Sequence, residues 1–114
     1  MRRIESDMLK CVYNYRAANL GNTRVYNDLN GGGKVTLFGN PIAYFDENLF
    51  VTLQDGGWRT VTTKSRTTKS RLNALLNNTG YRIRARDFEW RLCYFGEDRG
   101  PFVNDTTFYI GDIA

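Results

Sequence analysis

The chain has 114 residues, with 16 Lys and Arg against 12 Asp and Glu, no His, two Cys and 41% apolar residues. That is the size and composition of one ordinary folded domain, not a fibre or a long coiled coil. No run of about 18–20 apolar residues occurs, so a membrane-spanning helix is excluded, and without His there is no Ser-His-Asp triad, Cys-His pair or imidazole zinc site.

In chain order, Ile4, Met8, Cys11, Val12 and Tyr15 recur at three- and four-residue spacing and predict a helix over about residues 4–18, ended by Gly21-Asn22. Glu5, Asp7 and Lys10 break the apolar body a secretory signal would need at this end. Short strands follow at Thr23–Tyr26, Lys34–Phe38, Ile42–Phe45 and Leu49–Leu53, separated by turn signals at Gly39-Asn40-Pro41, Asp46-Glu47-Asn48 and Asp55-Gly56-Gly57. Trp58–Thr63 reads as a further strand. Val35, Leu37, Leu49, Val51 and Leu53 are expected on the core face. Phe38 and Phe50, of opposite parity, are expected either beneath a helix or exposed.

The period becomes helical over about residues 67–77, where Leu72, Leu75 and Leu76 form a stripe, Ser65 or Thr67 is the candidate N-cap and Asn77-Asn78-Thr79-Gly80 the stop. Thr62-Thr63-Lys64-Ser65-Arg66 is repeated at once as Thr67-Thr68-Lys69-Ser70-Arg71, a tandem copy at the strand-to-helix junction. Alternation returns from Tyr81 to Phe95, with a parity slip at Asp87 that predicts a bulge or sharp bend. Thr106–Ile110 is a last short strand. The expected architecture is α+β, an antiparallel β-meander of about five to seven strands with two helices, forming a single domain over residues 1–114. Cys11 and Cys93 are expected as buried reduced thiols, a disulfide being the alternative.

Charge is unevenly laid out. Arg59, Lys64, Arg66, Lys69, Arg71, Arg82, Arg84 and Arg86 give +8 across residues 59–86 with no acid among them, and the remainder sums to −4. Arg82, Arg84 and Arg86 alternate on one strand, about 6.6 Å apart, close to the spacing of phosphates along a nucleic-acid strand. The helix start among Lys, Ser and Thr offers free N–H groups to an anion. Tyr81 and Trp58 are candidate stacking surfaces. Arg outnumbers Lys 12 to 4, which favours bidentate contacts to phosphate or carboxylate. The alternative is a solvated face whose arginines pair with Glu89, Glu97 or Asp98. Glu97, Asp98, Asp105 and Asp112 form an acidic counterweight that could close on the basic band of a second copy, and a monomer is equally compatible.

Catalytic patterns fail on inspection. Asn30-Gly31-Gly32-Gly33-Lys34 has Asp28 where a phosphate loop needs Gly and Val35 where it needs Ser or Thr. Asp87 and Glu89 lack the further carboxylates and Lys of a two-metal nuclease. Neither a cofactor nor a metal site is expected.

The strings Leu20-Gly21-Asn22-Thr23, Leu37 to Ala43, Gly57 to Arg66 and Arg71 to Leu76 resemble small bacteriophage proteins of no assigned activity. The resemblance covers residues 20–76, and the doubled pentapeptide departs from its shorter spacing. It implies a virus-encoded protein acting in the cytoplasm of a bacterial host. The expected function is non-enzymatic engagement of DNA or RNA backbone through the basic face. The alternative is a phage inhibitor or modulator that docks the same arginines on an acidic host protein surface, and a virion component is a third reading. No membrane partner is expected.

Overall fold

Hairpins build most of the molecule. The computed structural model describes residues 1–28 and 31–111. Their elements are α1 (Arg3–Tyr13), β1 (Ala18–Leu20), β2 (Thr23–Asn27), β3 (Gly32–Leu37), β4 (Asn40–Asp46), β5 (Phe50–Leu53), α2 (Thr62–Leu75), β6 (Tyr81–Arg86), β7 (Glu89–Tyr94), β8 (Glu97–Pro101) and β9 (Thr106–Tyr109). Six strands form one antiparallel sheet in the order β1-β2-β3-β4-β5-β9, and β6-β7-β8 form a second. The α+β class and the meander are as the sequence predicts. Among the described residues no helix is long and apolar enough to cross a membrane.

Alternation fixes the buried face of the larger sheet. Val25, Val35, Leu37, Ala43, Phe45, Val51, Leu53 and Phe108 point into one contiguous core with Met8 and Val12 of α1 and Leu72, Leu75 and Leu76 of α2. Each fully buried Leu contributes roughly 2–3 kcal/mol of transfer free energy. A register shift between Val35 and Thr36 admits Ile42 as an extra residue that still reaches the core. Leu49 is only half-buried, with a left-handed φ of 66° just before β5. Phe38 and Phe50 are both about half-exposed.

Helix α1 ends at Tyr13, short of the predicted limit, because Tyr15 leaves the helical path at φ 54°. Its hydroxyl donates to the Gly32 carbonyl at 2.6 Å, and its ring stands edge-on to Phe45. The chain released from α1 forms β1, so Gly21, at φ 82°, turns a hairpin and does not stop a helix. Trp58–Thr63 is not a strand. The edge of β5 that it would have taken is paired with β9, and the segment instead turns through Trp58 N–H to Asp55 and Val61 N–H to Trp58.

Helix α2 therefore starts at Thr62 and takes in both pentapeptide copies. Five residues rotate a helix by about 140° beyond a full turn, so the copies face differently. Thr68 and Arg71 are buried, while Thr63 and Arg66 are exposed. The N-cap is Val61, with no side-chain cap; neither Ser65 nor Thr67 serves. Thr67 and Thr68 return their hydroxyl protons to the carbonyls of Thr63 and Lys64.

The parity slip at Asp87 is a full reversal and no bulge. Asp87 and Phe88 have φ of 52° and 63° and join Arg86 to Glu89 in a two-residue turn. Phe38-Gly39 and Phe95-Gly96 repeat this geometry. Positive φ at both central positions is the twist a tight antiparallel hairpin needs. Asn73 of α2 closes the free edge of β6: its amide donates to the Ile83 carbonyl at 2.9 Å and its carbonyl accepts the Ile83 N–H at 2.7 Å. Cys11 and Cys93 are free thiols.

Candidate functional site

The eight cations of the basic band and the two candidate stacking rings separate into those that serve the fold and those that reach solvent. Arg71, 2% exposed, belongs to the first group. Its Nη1 lies 2.8 Å from Glu5 Oε2 and its Nε donates to Thr23 Oγ1 at 3.0 Å. The second copy of the pentapeptide turns this position toward α1 and β2, so Arg71 is no binding residue. Arg59 lies over the rings of Trp90 and Phe102 at 5.1 and 5.4 Å and meets the Asp55 carboxylate at 3.0 Å. It ties the turn after β5 to the second sheet. Arg82 bends back onto α2, its Nη1 3.4 Å from the carbonyls of Asn73 and Leu76. A cation there complements the negative end of the helix.

Both aromatic candidates are also structural. The half-buried Tyr81 ring lies against Tyr94 at 4.6 Å and Phe108 at 5.1 Å, joining the two sheets. The Trp58 indole donates to the Leu37 carbonyl at 3.2 Å, and Lys64 Nζ sits 4.2 Å over its ring and 4.9 Å from that of Phe38.

Lys64, Arg66, Lys69, Arg84 and Arg86 remain. Arg66, Arg84 and Arg86 are exposed, and Lys64 and Lys69 half-buried. Among the described residues none of the five forms an ion pair. Arg66, Lys69 and Asn73 share one stripe of α2 by their seven- and four-residue spacing. Asn73 grips Ile83, so this stripe faces the strand that carries Arg84 and Arg86. The N-terminal N–H groups of α2 carry no side-chain cap and no acid in the first turn, which leaves the positive end of the helix dipole beside Lys64.

The neighbouring carboxylates are taken by an arginine outside the predicted set. Arg91 holds Asp98 through two hydrogen bonds of 3.0 and 2.9 Å and approaches Glu89 at 3.5 Å, while Arg99 lies 3.9 Å from Glu97. The hydrogen bonds from Arg91, then the Gly100 N–H, hold the Asp98 carboxyl below its ordinary range, with Arg86 adding a smaller attraction. A carboxyl lowered in the folded state stabilises above its unfolded pKa, and that stability is lost as pH falls through the folded value. The stability difference between the protein and Asp98→Asn is therefore expected to be constant at neutral pH and to shrink on acidification below the ordinary carboxylate range. Urea unfolding across a pH series measures it; a difference that does not move with pH contradicts the assignment.

Sequence reasoning missed a second surface. On the outer side of the larger sheet Tyr26 pairs with Lys34, Lys34 with Tyr44 and Tyr44 with Thr52, one row crossing four strands. The signal was available in the alternation of β2 and β4, whose outward positions hold Arg24, Tyr26 and Tyr44. In the glycine-rich stretch Asn30 lies outside the described residues, and Gly32 already begins β3, which places Lys34 in a strand. Asp112 of the acidic counterweight also lies outside them, and Asp105 accepts a hydrogen bond from Gln54.

The model of a protein family described as Kyanoviridae Gp96 protein matches residues 1–111, well beyond the residues 20–76 that carry the sequence resemblance. No curated protein and no solved structure matches the chain.

Proposed function

We infer, for a chain that belongs to the Kyanoviridae Gp96 protein family, a non-enzymatic bacteriophage protein that engages nucleic-acid backbone in the cytoplasm of the host. Lys64, Arg66, Lys69, Arg84 and Arg86 are the contacting residues. The observation that carries this reading is the division of the cations: Arg71 and Arg91 hydrogen-bond the protein's own carboxylates and Arg59 lies against Asp55 and over the Trp90 and Phe102 rings, while among the described residues these five form no ion pair. Two of them, Arg84 and Arg86, retain the strand spacing of about 6.6 Å that suits phosphates.

The test is fluorescence anisotropy with labelled generic duplex and single strands over a salt series. Five phosphate contacts predict a slope of log K against log salt of roughly −4.5 on duplex. The double charge reversal Arg66→Glu with Arg84→Glu, both exposed and outside the internal pairs, should lower affinity at least tenfold and flatten the slope. Unchanged affinity in that variant, with an unchanged melting temperature, refutes the reading.

A specific feature favours the host-protein alternative. Phe88 is fully exposed and Phe95 78% exposed, each in a hairpin turn. Apolar rings at such positions suit a protein partner. Capture of one dominant host protein from nuclease-treated lysate, lost in Phe88→Ser, with no salt-dependent oligonucleotide binding, would establish it.

A further inference from the structure

The outer face of the six-stranded sheet is aromatic and basic at once. Tyr26, Tyr44, Phe50 and Tyr109 are 36%, 42%, 46% and 49% exposed. Their neighbours along the strands, including Val25, Phe45, Val51 and Phe108, face the core, so these four rings project from the other side. Phe50 and Tyr109 are cross-strand partners with ring centroids 5.1 Å apart. Lys34 stands between Tyr26 and Tyr44 in the row, and the cationic groups of Lys34 and Arg24 lie 5.1 and 5.2 Å from the Tyr26 ring. Adjacent strands are about 4.8 Å apart, which puts Tyr26 and Tyr44 about 10 Å from one another.

We propose that this face is a stacking platform for a single-stranded nucleic acid, whose bases lie on Tyr44 and on the Phe50–Tyr109 pair while Arg24 and Lys34 follow its phosphates. Flat rings on an open sheet meet base faces only where those faces are not already stacked in a duplex, and stacking tolerates any base. The two cations beside Tyr26 supply the charge that a backbone requires.

The ends of the sheet give the strand a preferred path. Asp46 and Glu47 stand at the end where β3 begins; burial, then the carboxylates of Asp28, Glu47 and Asp46, raises the Tyr15 phenol pKa there. Arg24 and Lys64 lie toward the opposite end, by the Phe38-Gly39 turn. The phosphates follow the Arg24 and Lys34 side, and only base rings reach the Phe50–Tyr109 pair, whose strand begins with the Phe50 N–H held by Asp46. The same charges argue against a second copy seated on this face, since a two-fold contact would bring Arg24 and Lys34 toward their own copies.

The platform rests on the preceding reading for the class of partner only; its residues are different. The experiment compares the full chain with Tyr44→Ala/Phe50→Ala, with Tyr44→Phe and with Arg66→Glu/Arg84→Glu, using a labelled oligothymidylate and a duplex of equal length. The alanine pair should weaken oligothymidylate binding roughly tenfold for each ring removed and leave the duplex affinity unchanged, with circular dichroism showing that the variant is folded at the assay temperature despite the lost Phe50–Tyr109 contact. Tyr44→Phe should bind as the original protein does. Loss of single-strand binding in the alanine pair supports the platform, even where the charge reversal has no effect and the helix-and-strand site therefore fails. Undiminished oligothymidylate binding in the alanine pair overturns the platform and leaves the α2–β6 reading intact if the charge reversal abolishes duplex binding. Absence of oligothymidylate binding by the original protein overturns it as well. So does a concentration-dependent dimer in sedimentation that the alanine pair dissociates.

Discussion

Replacing Arg71 with methionine should cost about 3–5 kcal/mol of stability, the usual penalty for leaving a buried charge without its partner. The side chains of Arg71 and Glu5 are 3% and 5% exposed, and the remaining donors to the Glu5 carboxylate would be the Ser70 hydroxyl and a long contact from the Arg2 N–H. The pair joins α1 to α2, and Arg71 also reaches Asn22 and Thr23 at the first hairpin. Loss therefore propagates to three elements. Glu5→Leu combined with Arg71→Met should recover most of the loss, because an apolar pair of similar volume has no charge to desolvate. Urea unfolding of the two single variants and the double variant gives the coupling energy; strictly additive losses would show that the pair is not the cause.

Gly33→Ala is the second large effect. Asn27 and Phe45 flank Gly33 across the ladder. A Cβ built there falls 2.3 Å from Phe45 Cζ and 2.6 Å from the Tyr26 carbonyl oxygen. The ring could shift only by giving up its packing against Tyr15, and the carbonyl is main chain, so neither contact relaxes cheaply. Overpacking of this kind costs about 3 kcal/mol. Gly39→Ala is the control: its Cβ would meet nothing within 4 Å, and only the left-handed φ of 84° is strained. It should lose about 1 kcal/mol. Equal losses in the two variants, measured by thermal unfolding, would contradict this account. Gly33 is required for the missing side chain, Gly39 for the backbone conformation.

The strands β2 to β5 and the leucine stripe of α2 were legible because each rests on a local period. The turn after β3 was marked by Gly39-Asn40-Pro41, but the tight turns containing Phe88 and Phe95 were not legible. Bulky residues at positive φ are no turn signal in sequence, so a reversal at Asp87-Phe88 read as a slip in one strand. Strand β8, Glu97–Pro101, lacks the β-branched residues that mark strands. Segment 58–63 was misread because its fate depends on β9, some fifty residues later, occupying the edge of β5. The same non-locality governs the candidate site. Composition revealed the acid-free band, but which arginines remain for a partner depends on long-range contacts. Arg71 is claimed by Glu5, 66 positions earlier, and Arg59 by the rings of Trp90 and Phe102.

The doubled pentapeptide lengthens α2 at its start without altering the string that meets Leu72. Excising either copy leaves the same string in front of Leu72, so threonine and arginine still fill the interior places now held by Thr68 and Arg71. What disappears is about 7.5 Å of helix at the end that Trp58 and Arg59 anchor to the two sheets, together with one lysine and one arginine. Removing a copy therefore takes two positive charges from the exposed side of α2 and shifts its strain onto the turn between Asp55 and Val61, while threonine and arginine keep their interior places.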